Sequence, residues 1–394
     1  MHPRRPPYSE WMRPSVPALL AAALIAGATV AAPPAGAAAT GWSAPKRLTG
    51  DGCDVARTTT DAAGVTRGFA RCRVRATADV LVYVQGSAGR WTTTVTTGRG
   101  VPLAVADDGA RTRVLYAEPG SSPRLRMLTR TRGGSVSVRL VTTTGGAGQP
   151  AGDQRLAGAS LLAQGGRWLA VWGVTDRAFP YPSRLWQAGD LIGGASPRDT
   201  GLRGDEPSLA PARTGVQVAY VSDVDSAIEI GAARAGGGWT SARVGGSVVP
   251  RPAPSYVQGG RPTLQYSDRA TRLVVMLEQF DFDSPYFYER ADGSSTWRGR
   301  VVGGAAQQGT TAHIAAHGSR LLIALTAERA PDEGTGWALV AERRGSVWTR
   351  AYYGDGTSAS AGGVIVEGVG AGATGGVLVM RHARIPSWLS ARTG

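Results

Sequence analysis

The sequence predicts an all-β chain: a seven-bladed β-propeller of four-stranded antiparallel blades, closed by pairing of its N- and C-terminal strands. Three observations predict it. A glycine-rich turn followed by a tryptophan and a short alternating run recurs at Trp42 ("TGWSAPKRL"), Trp91 ("AGRWTTTVT"), Trp239 ("GGGWTSARV"), Trp297 ("SSTWRGRVV") and Trp348 ("GSVWTRAYY"). The copies are spaced at multiples of about 50 residues, a period that belongs to propeller blades and exceeds those of helical or leucine-rich solenoids. No stretch beyond the first forty residues keeps a 3.6-residue apolar period, while strand-like runs separated by turn residues recur roughly every 8 to 12 positions.

The elements follow in order. Residues 1–39 read as an export signal: Arg4, Arg5 and Arg13 lead into an alanine-rich apolar run, and "PPAGAAAT" offers small-residue cleavage sites near Ala37 or Ala39. Residues 40–394 read as a single propeller domain. The tryptophan strand at Trp42 comes first. The second strands of successive blades are expected at "RTRVLYAE", "RWLAVWGV", "VQVAYVSD", "RLVVMLEQ", "RLLIALTA" and "GVLVMRHA", with third strands such as "VLVYVQG" and "ALVAERR" behind them. Tight turns such as "DDGA" and "QGG" precede the second strands and supply the positive φ of short hairpins. Complete sets from Cys53 onward number seven, and the last, near Trp388, lacks a tryptophan strand. The strand at Trp42 would complete it and remove both sheet edges. The third blade is the weakest, its fourth strand degraded near "DLIGGASPRD".

The mature chain should be exported and lie outside the cell or in its wall. Its two cysteines, Cys53 and Cys72, suit an oxidising compartment and are expected to pair, contributing about 3 kcal/mol in the chain-entropy model. No later segment reaches the roughly 20 apolar residues of a membrane span. The formal charge of +14 is almost all arginine, Lys46 being the only lysine. Nucleic acid is set aside as a partner, because the arginines are scattered and form no basic helix or RNA-binding motif.

"RADGSSTW" approaches an Asp-box, Ser-x-Asp-x-Gly-x-x-Trp, but Gly293 follows Asp292 at once, so the register departs from it. With that departure, the chain resembles the secreted bacterial propellers of the sialidase-like or repeat-lectin kind over its whole mature length. The resemblance implies the fold and a glycan-binding or glycosidase setting.

Strand order places the loops between second and third strands, and those between blades, on one end of the disc. Acids gather in them, including Glu118, Asp176, Asp205, Glu206, Asp223, Asp225, Asp281 and Asp283. Arginines gather at the hairpin end, which predicts a polarised disc whose acidic end binds the ligand. The candidate ligand residues are Asp176, Arg177, Asp205, Glu206, Asp223, Asp225, Arg261, Asp281, Asp283, Tyr286 and Trp337. No cofactor is expected unless calcium binds, for which Asp223, Asp225, Asp281 and Asp283 are the hard-oxygen candidates. The expected function is a non-catalytic scaffold binding a glycan or a cell-surface protein. The alternative is a glycoside hydrolase using paired carboxylates at the central funnel. The recurring tryptophans are expected to cover grooves between blades. His313 and His317 are read on one strand, about 13 Å apart, too far to share a metal. "GAGATG" at 370–375 is read as a hairpin turn, since no strand–helix context surrounds it.

Overall fold

The computed structural model describes residues 46–393 other than 48–52, 75–77, 88–89, 121–123, 143–147, 151–153, 177–181, 235, 245–260, 280–281, 303–307, 329–335, 354–363, 374 and 383–384. The proposed export signal, Trp42, Arg177 and Asp281 lie outside these residues. Among them the chain forms seven four-stranded antiparallel sheets.

A short strand β1 (Lys46–Arg47) comes first. Blade 1 contains β2 (Cys53–Thr60), β3 (Thr66–Val74), β4 (Ala78–Ser87) and β5 (Arg90–Arg99). Blade 2 contains β6 (Val101–Asp107), β7 (Arg111–Ala117), β8 (Leu125–Thr131) and β9 (Val136–Leu140). Blade 3 contains β10 (Gln154–Gln164), β11 (Arg167–Asp176), β12 (Ser183–Gly189) and β13 (Gly194–Asp199). Blade 4 contains β14 (Gly204–Pro211), β15 (Val216–Ser222), β16 (Ile228–Ala233) and β17 (Trp239–Arg243). Blade 5 contains β18 (Thr263–Ser267), β19 (Ala270–Gln279), β20 (Phe282–Ala291) and β21 (Arg298–Val301). Blade 6 contains β22 (Gln308–His317), β23 (Arg320–Glu328), β24 (Gly336–Arg344) and β25 (Val347–Tyr353). The last sheet has the order β1-β28-β27-β26, with β26 (Val364–Ala371), β27 (Gly375–His382) and β28 (Ile385–Thr393). In it β1 lies antiparallel to β28, Lys46 opposite Leu389.

Each second strand is buried on both faces, which is why it reads as a nearly continuous apolar run and not as an alternation. On β11, Trp168, Ala170, Trp172 and Val174 face blade 2, while Leu169 and Val171 face blade 4. The apolar interior is therefore divided into clusters between neighbouring blades. Phe69, Tyr83, Val114 and Tyr116 join blades 1 and 2. At the far side, Val377 and Val379 of β27 share a cluster with Ala56, Cys72 and Val84 of blade 1. Fourth strands, in contrast, are exposed: all five residues of β9 and four of five in β17.

The repeating tryptophans seal these joints. Trp91, Trp239 and Trp348 pack against the clusters they share with the preceding blade, and Trp297, 6% exposed, sits inside one. Trp239 Nε1 donates to Gln187 Oε1 of blade 3 at 2.8 Å, and Trp348 meets Phe287 of blade 5 edge-on with centroids 5.9 Å apart. The missing fourth strand of blade 3 is β13, at "GASPRD"; it bonds irregularly to β12 and tolerates Pro197 because its outer edge is free.

Cys53 and Cys72 face each other across β2 and β3 and form a disulfide. Among the described residues, no helix is long and apolar enough to cross a membrane.

Ion pairing qualifies the predicted charge polarisation. Several arginines of the hairpin end pair with acids: Arg67 with Asp61, Arg132 with Asp107, and Arg343 with Glu289. Hydrogen bonds from Arg343 and Arg272 outweigh burial and pull the Glu289 carboxyl down to about 2. These pairs neutralise the hairpin end where they occur.

Candidate functional site: the central cavity

The innermost strands follow one another in space: β2 beside β6, then β10, β14, β18, β22 and β26, with β26 beside β2. They enclose a cavity of about 630 Å³. Its wall mixes small and hydroxylated residues, among them Thr58, Thr60, Gly158, Ser160, Ser208, Ala312 and Gly368, with aliphatic ones such as Leu103, Leu209 and Ile314, and its described lining residues include no Phe, Tyr or Trp. Crowding near the axis selects them. A Cβ at Gly370 would stand within bonding distance of Thr60 Oγ1, so only glycine fits there.

Six of the seven innermost strands are out of register with their second strands at the same end. The breaks include Pro102/Ala104, Leu156/Ala159, Asp205/Ser208 and Val366/Gly368. A bulge frees backbone groups and re-aims side chains. Glu206 and Glu367 stand at two of these bulges and both line the cavity. Glu206 has φ 49°, a left-handed conformation unusual for a residue with a side chain and typical of functional positions.

Three cationic or titratable groups meet the carbonyls near these irregularities. Arg57 Nε donates to Leu103 O at 3.3 Å, and Arg57 Nη1 pairs with Glu367 Oε2 at 2.5 Å. Arg261 Nη2 donates to Pro207 O at 3.1 Å and also to Ala159 O. His313 Nε2 lies 3.2 Å from Val366 O. Burial pushes the His313 imidazole down to about 4, aided by the nearby positive charges of Arg57 and Arg261, so it is neutral at pH 7. A neutral ring beside a carbonyl donates through Nε2 and leaves Nδ1 as an acceptor. Burial also lowers Arg261 to about 10, with Glu206 opposing, and the guanidinium stays charged.

These contacts also join blades. Ser160 Oγ accepts from Leu209 N at 2.9 Å, Ser208 Oγ from Leu264 N at 3.0 Å, and Thr263 Oγ1 donates to Ala312 O at 2.8 Å. The innermost strands share no backbone ladder with one another, so side chains on these strands supply the links.

The structure brings together Asp205, Glu206, Asp223 and Arg261 of the expected residues. Asp205 sits at the rim: burial raises its carboxyl to about 6, with Glu206 and Asp223 adding repulsion against the pull of Arg155 and the Ser183 hydroxyl. Asp223 accepts from Ser183 N at 3.2 Å and lies 3.5 Å from Arg203 Nε. Asp225 is paired with Arg243 instead. Among the described residues no group of three or more His, Cys, Asp or Glu is placed to hold a metal ion. Asp176 ends β11 with its amide bonded to Pro182 O. Asp283 and Trp337 lie on β20 and β24, and their side chains, like Arg177 and Asp281, fall outside the described residues. Tyr286 is a correction. It is 7% exposed in the core between blades 4 and 5, stacked on Tyr288 with centroids 6.1 Å apart, because the period of two turns it inward on β20.

Arg57 and Glu367 carry no signal in the sequence: each lies in an innermost strand of small residues, where no apolar pattern marks the element. His313 does lie on a strand, as its spacing from His317 predicts, but that spacing says nothing of the cavity it lines.

An Asp205→Asn substitution tests the rim. The folded carboxyl titrates near 6 and the unfolded one near its ordinary value of 3.8, so the native state gains from protonation and loses as pH rises through 6. Asparagine carries no charge to desolvate. Urea melts should find the variant equal to the parent at pH 4 and more stable by about 1–2 kcal/mol at pH 8, a figure reduced for partial solvent exposure. A difference independent of pH would refute the assignment.

No family model matches the sequence, and no curated protein matches it significantly. Solved structures do. The β-propeller domain of the trilobed protease from Pyrococcus furiosus, described as having an open velcro topology, aligns over 89% of this chain and 95% of its own at 10% identity, TM-score 0.50. A mutant of the alpha-L-arabinofuranosidase Arb93A from Fusarium graminearum, bound to an iminosugar inhibitor, aligns over 77% and 98% at 11% identity, TM-score 0.50. YCF48 bound to a D1 peptide aligns over 90% and 97% at 12% identity, TM-score 0.49. At such identities the likeness is one of fold, and the likeness to the first two, with the sheets described above, identifies the chain as a β-propeller.

Proposed function

We propose that this protein is an exported, non-catalytic binding scaffold, a closed seven-bladed ring whose central cavity receives a polar group of a glycan or protein partner. Ring closure is supported by the β1–β28 pairing and by the cluster that joins Val377 and Val379 to blade 1. Export is supported by the charged and alanine-rich N-terminal sequence and the Cys53–Cys72 disulfide.

One observation carries the binding reading. Hydroxyls and fixed charges stand among the cavity's aliphatic lining, yet of the two carboxylates among its described lining residues only one is unengaged. Glycoside hydrolysis needs two carboxyl groups flanking the bond, about 5 to 10 Å apart. Glu367 is held by Arg57, and Asp205 belongs to the rim, where it meets the Ser183 hydroxyl. Glu206 is left alone to act.

A hydrolase is the second reading, favoured by Asp205: a carboxyl raised to about 6 beside another carboxylate is an arrangement that acid–base chemistry uses. The two readings separate in one experiment. The purified protein is applied to a glycan array and to a panel of chromogenic aryl glycosides, alongside E206Q. Capture without turnover, weakened at least tenfold by E206Q, is expected. Turnover abolished by E206Q would establish the hydrolase instead, and capture unaffected by E206Q would remove the cavity from either account.

A further inference from the structure

We infer that Glu206 and Arg261 form a two-pole subsite in the central cavity that recognises a small zwitterion, a group of the α-amino-acid type bearing both an ammonium and a carboxylate. The inference rests on the cavity being a binding site and names what it binds.

Among the described lining residues the charged and titratable groups divide into two sets. Arg57 and Glu367 neutralise each other directly, and His313 is uncharged and tied to Val366 O. Glu206 and Arg261 remain. The Glu206 carboxylate has no hydrogen-bond or ion-pair partner among the described residues, although it faces a confined space. Arg261 is enclosed by the innermost strands, and the only acceptors of its guanidinium among the described residues are the carbonyls of Ala159 and Pro207, both through Nη2. Among the described residues its Nε and Nη1 make no hydrogen bond.

The two opposite charges stand close together without joining. Glu206 Oε2 presses on Gly158, where an added Cβ would lie 2.5 Å away, and Arg261 is bonded to the next residue, Ala159. Both therefore stand beside the same stretch of β10 backbone. Pro207 O also fixes the guanidinium on the residue after Glu206, so the backbone holds the Arg261 pole next to the strand that carries Glu206. Enclosed charges without a partner are costly, and a ligand that complements one pole alone leaves the other desolvated. An anion would meet Arg261 but face Glu206. A cation would meet Glu206 but face Arg261. A neutral sugar could hydrogen-bond to both and neutralise neither. A zwitterion answers both, and the hydroxyls of Thr263 and Ser208 beside them suit a compact polar guest.

The test strips the ligand of one charge at a time. The intact protein is titrated calorimetrically with the common free amino acids, their N-acetyl derivatives and their methyl esters. At least one free amino acid should bind, and its N-acetyl and ester forms should each bind at least tenfold more weakly. E206Q should lose the discrimination against the N-acetyl form and keep that against the ester; R261Q should do the reverse. Should R261Q fail to fold, the ligand derivatives on the wild type and E206Q still decide the matter. Equal binding of the parent amino acid and its derivatives, or no binding by any of them, would overturn the proposal. If no amino acid binds while E206Q still abolishes glycan or protein capture, the zwitterion falls and the cavity remains a binding site.

Discussion

Trp172→Ala should lower the stability of the protein by about 3–5 kcal/mol, the range for removing a large aromatic side chain from a core. Trp172 is fully buried on β11, in the cluster shared by blades 2 and 3 with Leu115, Leu125, Met127 and Ala159. Its ring does more than fill volume. Nε1 donates to Gly148 O at 2.7 Å, and Gly148, at φ 74°, is so close that a Cβ there would lie 2.7 Å from the indole. Gly148, between blades 2 and 3, is therefore both packed on the ring and bonded to it. Trp172→Phe separates the two contributions, since it keeps most of the apolar contact and leaves the carbonyl without its donor, which costs about 1–3 kcal/mol. Chemical denaturation of the three proteins should rank wild type, phenylalanine and alanine in that order. An alanine variant within about 1 kcal/mol of wild type would mean that the joint between these blades bears little of the stability.

Trp172 also illustrates which parts of the fold can be read in the sequence. It lies in "RWLAVWGV", a run legible because a second strand is buried on both faces and must be apolar throughout. The tryptophan strands are legible for a related reason: in blades 1, 4, 5 and 6 a large ring at the start of the outer strand fills the widening groove toward the rim. Innermost strands obey the opposite demand. Near the axis the blades converge, so these strands carry Thr58, Gly158, Ser160, Ala312 and Gly368, residues that look like loop composition and hide the element. Arg57 and Glu367 are hidden with it. Glu206 and Arg261 were within reach because they flank blade junctions, where strand order alone places a residue at a known end of the disc. The charge pattern is only partly legible for a physical reason: counting arginines by loop ignores that hydrogen-bonded pairs such as Arg320–Glu342 and Arg343–Glu289 cancel in place.

The same cancellation makes one buried pair an informative target. Arg113 of β7 pairs with Asp108 of the preceding turn at 2.6 Å, with side chains only 3% and 1% exposed, and its Nη2 donates to Gly166 O of blade 3 at 2.8 Å. Asp108 is held in turn by the amides of Ala110 and Arg111. Burial alone would raise the Asp108 carboxyl, but the bonds from Arg113 and these amides outweigh it and keep it below its ordinary value. Arg113→Met removes the compensating charge and the link to blade 3 together, and should destabilise by about 3–5 kcal/mol at pH 7. Asp108→Asn in that background removes the stranded charge while its side-chain oxygen can still accept from the turn, so the double variant should recover part of the loss. Removing one partner is worse than removing both when an unpaired buried charge accounts for most of the cost, and a double-mutant cycle isolates that signature. The pH dependence has a fixed sign as well. A lowered carboxyl stabilises the native state above its unfolded value and ceases to do so as pH falls, so the gap between wild type and Arg113→Met should narrow in acid. If the double variant is no more stable than the single, the cost lies in the lost bond to Gly166 O and not in the charge.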